Sequence, residues 1–395
     1  MMTELRITAS ELSSKLATVS KVINRKNALP ILDNVLLKVD GEKFLLCASS
    51  GDAWISAVTK FLLIQGKPKD VCLPVAMLLP AVQTVNGDSE LFLDFDDDKH
   101  TVKVRYLQGE FTMPFLDANE YPVMQTLKDV TCGFMLPSSF FVPTVKAASK
   151  CVAADLLRPQ MCCVALDATN EGVTVVASDG HSLYKQSLEP GAPFLQSGTP
   201  SVLLLHKDIL STIDHALRGT KNVKIESDGQ IIMISEYSED SENSENSENS
   251  EITIVTTCVE GKYPNYNSVI PKDIPYKMTV CVKDVTAALK RVGLFANDQS
   301  DMLRVSYDGD SLCIEAEDID YSKRAEEKVG ITGECNCPEG FAIGLKNATF
   351  SYLLGCVNTE NCLLNLISRD RPLLIKDEDV NSSLTLLQMP MVLND

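Results

Sequence analysis

Leu12-Ser-Ser-Lys-Leu16-Ala-Thr-Val19-Ser-Lys-Val-Ile23 spaces its apolar residues by 4, 3 and 4 positions. That spacing keeps one face of a helix against a core. It returns at Phe141, Val145, Ala148 and Val152, and again at Val285, Leu289, Val292 and Ala296. The three starts lie 129 and 144 residues apart, so the chain reads as three copies of one domain-sized unit.

The segments downstream of each helix repeat as well. An apolar strand from Ile31 to Val39 meets a turn at Asp40-Gly41 and a strand from Phe44 to Cys47. Met161 to Leu166 leads through a longer turn to Val173 to Ala177, and Leu303 to Tyr307 leads through Asp308-Gly309 to Leu312 to Ala316. Asp-Gly between such runs signals a hairpin. A second helix is expected over Val75 to Val85, Lys207 to Leu217 and Asn347 to Val357, with further short strands closing each unit. The fold class is α+β: three tandem copies of a domain with two helices packed on antiparallel sheets. The expected domains are residues 1–129, 130–274 and 275–395. Their unequal spacing has a visible source, the acidic low-complexity run Ser238 to Glu251, whose 14 residues nearly account for the difference. It has no apolar area to bury and is expected to be a disordered hairpin tip. Pro143 and Pro80 fall inside predicted helices, which must then start later or kink.

The 395 residues are 45% hydrophobic, enough for several full cores, without an apolar stretch long enough to span a membrane. Glu4, Arg6 and Glu11 interrupt any signal-peptide pattern, and 13 scattered cysteines suit a reducing compartment, so a cytoplasmic location is expected. Cys162-Cys163 and Cys335-Asn-Cys337 have no companion pair at zinc spacing, so no metal is expected.

A net charge of −18 speaks against tight phosphate binding, yet the cations are arranged. Lys21 and Lys150 sit nine residues after Leu12 and Phe141, opposite the apolar stripe; Lys146 and Lys290 share a second register, with Arg291 beside the latter. Arg25, Lys26 and Arg158 lie just past the helices. These read either as ordinary solvated helix faces or as a basic surface built from equivalent helices, on which surrounding acidity would focus DNA. In the third copy the position of Lys21 and Lys150 is Leu294, followed by Phe295, an apolar pair off the core stripe that suggests an interface.

Chemistry is sparse. No phosphate-binding glycine loop and no nucleophile elbow are present. His181, in Ser178-Asp179-Gly180-His181, is a candidate base or a hydrogen-bonded turn residue. Asp94, Asp96, Asp97 and Asp98 could hold a divalent ion or form a solvated turn. A metal-dependent or His181-based hydrolase and a protein-binding repeat scaffold remain the alternatives to a DNA-binding role.

Four segments carry a family resemblance. Val175-Val-Ala-Ser-Asp-Gly-His181 resembles the Val-Ala-Thr-Asp-Gly-His element of the bacterial replicative sliding clamp, the β subunit of DNA polymerase III. Ala28-Leu-Pro-Ile-Leu-Asp-Asn34, Val259-Glu-Gly-Lys-Tyr-Pro-Asn-Tyr266 with Val269-Ile-Pro271, and Met389-Pro-Met391 resemble further segments of that family, in order and nearly end to end. The resemblance implies a head-to-tail homodimer, a six-domain ring lined by helices that passes duplex DNA without reading sequence. It implies no catalytic centre and no cofactor. Lys26 and Arg158 match DNA-facing positions, and Phe111 and Met113 match the surface met by Leu294 and Phe295 across the dimer.

A hydrophobic cleft is implied at Met161, Ser178, Gly180, His181, Ser182, Leu183, Pro264, Ser268, Val269, Lys346, Thr349, Leu387, Met389, Pro390 and Met391. It would take short motifs from the polymerase III alpha subunit, the clamp-loader delta subunit, other polymerases, ligase and mismatch-repair proteins. Ser182 and Ser268 stand where many clamps carry arginine, and the tail runs on past Met391 as Val-Leu-Asn-Asp.

Overall fold

A computed structural model describes residues 2–23, 29–188, 195–237 and 251–393. The three opening helices are alike to the residue. α1 (Ala9–Val19), α3 (Ser138–Ala148) and α5 (Val282–Val292) each run 11 residues. Each then tightens into a three-residue 3₁₀ turn, Ser20–Val22, Ser149–Cys151 and Gly293–Phe295. The second helices are α2 (Val75–Gln83), α4 (Lys207–Ala216) and α6 (Asn347–Leu354), shorter at their C-termini than the apolar pattern suggested. Leu12, Leu16 and Val19, with Phe141, Val145 and Ala148, and Val285, Leu289 and Val292, are all buried. Burying such side chains yields about 1.5–3 kcal/mol each, so this stripe, not helix propensity, holds the helices in place.

Pro143 and Pro80 do lie inside α3 and α2, neither of which starts late. Each proline is exposed, and the carbonyls it leaves without a helical donor belong to Ser139 and Ala76, which are exposed too. Neither carbonyl belongs to a buried residue, which limits the cost of the lost bond. The strand expected from Ile31 starts only at Val35, because Pro30–Asp33 forms a 3₁₀ turn. Likewise Pro159–Cys162 is a 3₁₀ turn and the strand begins at Cys163. In both, the proline's fixed φ opens the turn.

The chain forms two compact units, residues 1–146 with 192–258, and residues 147–191 with 259–395. The first holds a five-stranded antiparallel sheet in the order Leu62–Gln65, Met2–Thr8, Glu90–Asp96, Thr101–Tyr106, Gly109–Pro114. It also holds a ten-stranded sheet in which Ala53–Thr59 of the first repeat pairs with Ile252–Thr257 of the second. In the second unit Ser182–Ser187 of the middle repeat pairs in the same way with Thr385–Gln388 of the last. The ladder continues through Leu373–Asp377, Asn361–Leu366, Tyr276–Cys281, Lys323–Cys335, Ser311–Asp318 and Met302–Tyr307 to Ala342–Lys346. The middle repeat is thus divided between the units because its strands are shared with its neighbours. The acidic run expected at Ser238 to Glu251 lies, but for its last residue, outside the described residues; Glu251 itself pairs with Lys15 at 3.3 Å.

Candidate functional site

In the first unit, Lys21 occupies the middle of the 3₁₀ turn after α1, and that turn packs against α4. The wheel placed Lys21 on a continuing α-helix. The helix has in fact tightened, but the register across repeats survives, since Lys150 and Leu294 are also the middle residues of their turns. Near Lys21, α4 supplies Asp214 and His215, and Arg218 follows just past its end. Lys146 pairs with Asp214 at 3.0 Å and Arg218 with the same carboxylate at 3.1 Å. Burial pushes the Asp214 carboxyl up, but the hydrogen bonds from Lys146 and Arg218 outweigh it and hold it below its usual value. His215 is held below its ordinary value by burial first, then by the charges of Lys21 and Arg218. Burial is the larger cause, and the two cations add to it against the opposing charge of Asp214. Arg218 was not anticipated, because it follows a second helix and the repeated cation register runs only through the first helices.

In the second unit Lys150, Arg158 and Lys290 are exposed and have no ion-pair partner among the described residues. Arg291 does have one: its guanidinium forks onto Glu327, with Nε donating to Oε2 at 2.9 Å and Nη2 to Oε1. Like Lys146, Arg291 is therefore a DNA-facing candidate that already holds a carboxylate partner, through an exposed pair of modest strength. Arg25 and Lys26 lie outside the described residues.

The cleft residues all fall in the second unit, and three segments carry most of them. The first is the turn Ser178 to Leu183. Asp179 Oδ1 accepts from the backbone of His181 (2.8 Å) and Ser182 (2.6 Å) and from Ser182 Oγ (3.0 Å), while Ser178 Oγ donates to the Ser182 carbonyl (2.8 Å). Gly180 sits at φ +91°, where a side chain would be strained. The second segment carries Pro264 and the 3₁₀ turn Tyr266–Val269, tied down by Tyr266 donating to Asp167 at 2.6 Å. The third is the tail: Leu183 and Ser182 pair with Leu387 and Gln388, and Met389 N–H donates to the His181 carbonyl at 2.7 Å. Lys346 and Thr349 come from the start of α6, which packs on the tail strand.

Exposure sorts these residues. Val269 (51%) and Met389 (39%) stand open, as do Gly180, His181, Pro264, Ser268 and Lys346; Thr349, Pro390 and Met391 are half-buried. Met161, Ser182, Leu183 and Leu387 are buried, so they support the surface from beneath and do not themselves line it. An exposed methionine such as Met389 is an adaptable apolar anchor.

The two surfaces expected to meet across a dimer differ in kind. Leu294 is 76% exposed and Phe295 41%. Phe111 is half-buried, its ring 6.3 Å from that of Tyr106. Met113 is only 3% exposed and so offers no surface of its own, a correction that follows from strand alternation: Glu110, Thr112 and Pro114 face outward. What Gly109–Pro114 does offer is an unpaired backbone edge, since it ends its sheet.

Enzyme-like alternatives find no support in the geometry. Asp179, the acid nearest His181 in sequence, is occupied by the turn's own donors. Asp94 is forked by Arg105 at 2.5 and 3.0 Å, Asp96 pairs with Lys99 at 3.0 Å and Asp97 with Lys69 at 2.9 Å. Cys313, Glu315 and Glu326 do bring ligand atoms within 4.8 Å of one another, a group no sequence motif announces because the residues lie on two strands. Arg324 lies 3.6 and 3.8 Å from the two carboxylates and supplies their counter-charge. The cysteines are free thiols, and burial pushes those of Cys47, Cys72, Cys151, Cys163 and Cys362 up to about 12, leaving them protonated and inert. No helix among the described residues is long and apolar enough to cross a membrane.

Comparison with known proteins adds an independent line. Residues 3–125 match the family model for the N-terminal domain of the DNA polymerase III beta subunit, and residues 267–392 match that for its C-terminal domain. A beta sliding clamp of Pseudomonas putida is 23% identical over 379 residues, 95% of this chain and 96% of the relative. One of Synechococcus elongatus is 24% identical over 320 residues, 80% of this chain and 81% of the relative. Among solved structures, a Pseudomonas aeruginosa sliding clamp bound to griselimycin superposes with a TM-score of 0.86 at 21% identity, covering 100% of both chains. The Thermotoga maritima DNA polymerase III beta subunit does so with a TM-score of 0.86 at 20% identity, again covering 100% of both.

Proposed function

Since the chain belongs to the DNA polymerase III beta-subunit family, the bacterial sliding clamps, we propose that two copies join head to tail into a six-domain ring around duplex DNA. The protein is a processivity factor and not a catalyst: it tethers the replicative polymerase to its template. The observation that carries the ring is the repeated junction. Ala53–Thr59 pairs with Ile252–Thr257, and Ser182–Ser187 with Thr385–Gln388. In the repeat pattern two strand segments correspond to these without such a partner. Residues 323–330 pair on one side only, with Ser311–Asp318, and Gly109–Pro114 ends its sheet. An unpaired edge of this sort is a template for another chain. Two copies satisfy both edges at once, and the interface closes.

The register follows from the existing junctions, where Ile254 faces Ile55 and Leu386 faces Tyr184. Counting along the equivalent strands puts Phe111 opposite Ala325 of the second copy and Thr112 opposite Arg324, with exposed Leu294 and Phe295 completing the contact from the turn after α5.

DNA holding is then topological. Lys21, Lys146, Lys150, Arg158 and Lys290, with Arg25 and Lys26, supply weak, sequence-blind attraction in the bore, while an acidic exterior repels. The surface of His181, Val269, Lys346, Met389 and Met391 takes short apolar motifs from the polymerase, the clamp loader, other polymerases, ligase and mismatch-repair proteins. The domains divide at residues 129 and 274, and the site of action is the cytoplasm.

A double variant, Thr112→Cys with Arg324→Cys, tests the ring. Oxidation should join two 43.3 kDa chains through two bridges into one closed species that stays on nicked circular DNA and leaves after linearisation. A strictly monomeric protein, or cross-linked protein released equally from circles and linear DNA, would overturn it.

A further inference from the structure

The tail that carries Met389 and Met391 is not simply the end of a strand. Past Gln388 it leaves the sheet, crosses the turn at His181 and lies along the outer edge of Ala342–Lys346, the terminal strand of its ladder. Three hydrogen bonds seat it. Met389 N–H donates to the His181 carbonyl at 2.7 Å, Met391 N–H to the Gly344 carbonyl at 2.8 Å, and Gln388 Nε2 to the Lys346 carbonyl at 3.0 Å. Gly344 and Met391 form an isolated antiparallel bridge. The seat is tight: a Cβ on Gly344 would fall 2.6 Å from the Met391 carbonyl oxygen and 3.1 Å from Leu393 Cδ2. Gly344 does not need its backbone freedom, since no positive φ is involved; it is glycine because the tail occupies the place of its side chain.

Gln388 adds a second, unusual feature. It is buried to 1% exposure, yet its Oε1 has no hydrogen-bond partner. Leaving such an acceptor unmade costs stability, so an apolar side chain of similar size would serve folding better. The amide is retained at a position where its one bond ties the tail to the start of α6.

We propose that Gly344 and Gln388 are positioning residues for the partner cleft: they form a seat that holds Met389 and Met391 in place, and ligand affinity depends on the tail being seated. This rests on the proposed peptide cleft. Neither residue stands in the open surface; both act through the tail. Pre-seating removes the ordering cost that a free tail would charge each incoming ligand.

Griselimycin, which two clamps of similar structure hold, is the probe. Gly344→Val should weaken its binding by roughly tenfold or more and speed hydrogen exchange at the Met389 and Met391 amides, with the dimer mass unchanged. Gln388→Leu should weaken binding by about threefold while leaving the melting temperature equal or higher, because removing the unmade buried acceptor outweighs losing the one Nε2 bond, whose acceptor belongs to the exposed Lys346. Affinity and stability moving in opposite directions is what a merely structural glutamine would not produce. Unaltered affinity in Gly344→Val, or a Gln388→Leu variant that loses stability and affinity together, overturns the seat. Failure of griselimycin to bind the unaltered chain, or binding indifferent to Met389→Ala, overturns the cleft itself.

Discussion

The turn after the first helix occurs three times, and the copies differ where it matters. Ser20-Lys21-Val22 and Ser149-Lys150-Cys151 each present an exposed lysine and tuck the third residue into the core. Gly293-Leu294-Phe295 has the same backbone class but turns two large apolar side chains outward, at 76% and 41% exposure. The helix ahead of each turn buries an equivalent stripe, so folding does not call for the difference. An apolar pair in water costs solubility and is retained where another surface covers it. Under the proposed ring, the first two turns face a charged polymer and the third faces a second copy of the chain.

Converting the third turn into the first breaks this contrast most directly. Leu294→Lys with Phe295→Val should weaken dimerisation by about 100-fold or more, as expected when central apolar anchors are removed. Sedimentation at micromolar concentration should show the 43.3 kDa monomer with an unchanged melting temperature. A dimer that persists would send the apolar pair back to local packing. The converse variant, Lys21→Glu with Lys150→Glu, should leave the dimer intact. Its affinity for short duplex DNA should fall by roughly tenfold or more, and the dependence of log K on log salt should flatten by about 0.9 for each of the ring's four such lysines that sits against a phosphate. An unchanged salt slope would place them away from DNA.

The third position of the turn separates folding from function. Val22 is buried and Phe295 is not. Val22→Ala should cost about 1–2 kcal/mol in denaturant titrations with no effect on the dimer, whereas Phe295→Ala should cost almost no stability and weaken the dimer. Equal stability losses would mean that Phe295 packs at home.

Much of this is legible in the sequence because it rests on periodicity. The 4-3-4 spacing of Leu12, Leu16, Val19 and its two copies is a consequence of helix geometry, and buried stripes appear wherever it occurs. The hairpins at Gly41 and Gly309 follow from the positive φ, +60° and +103°, that Asp-Gly supplies. Features that depend on partners distant in sequence are not legible. Glu327, which engages Arg291, lies 36 residues away, and nothing in the helix register announces it. Met113 reads like Phe111 and shares its face of the strand, yet its place along the strand leaves Met113 buried and Phe111 half-buried. Gln388 and Gly344 are unremarkable as letters; only the tail's path, a tertiary fact, gives them a role. Pro80 and Pro143 look disruptive in the sequence because their cost depends on which carbonyl each one frees, and both carbonyls belong to exposed residues.

The smallest expected effect concerns pH. His215 lies beside the charged turn, and burial, then Lys21, then Arg218 hold its pKa below the ordinary value of 6.5. The native imidazole is therefore neutral at pH 7, and the unfolded chain takes up a proton first as the pH falls. The contribution to stability is fully present above pH 6.5 and is lost as the pH drops through the lower native value. Lys21→Met removes one of the two repelling cations, so the His215 titration followed by NMR should move upward, and the acid-side loss of stability should shrink. The equivalent change in the third turn, Leu294→Met, should leave His215 where it is. Duplex DNA should act in the same sense as Lys21→Met, because phosphates lying against this cluster favour the imidazolium; binding should then take up protons and tighten slightly as the pH falls from about 7.5 towards about 6. A His215 titration indifferent to both Lys21→Met and DNA would remove the first turn from the charged face and leave the contrast with the third turn resting on dimerisation alone.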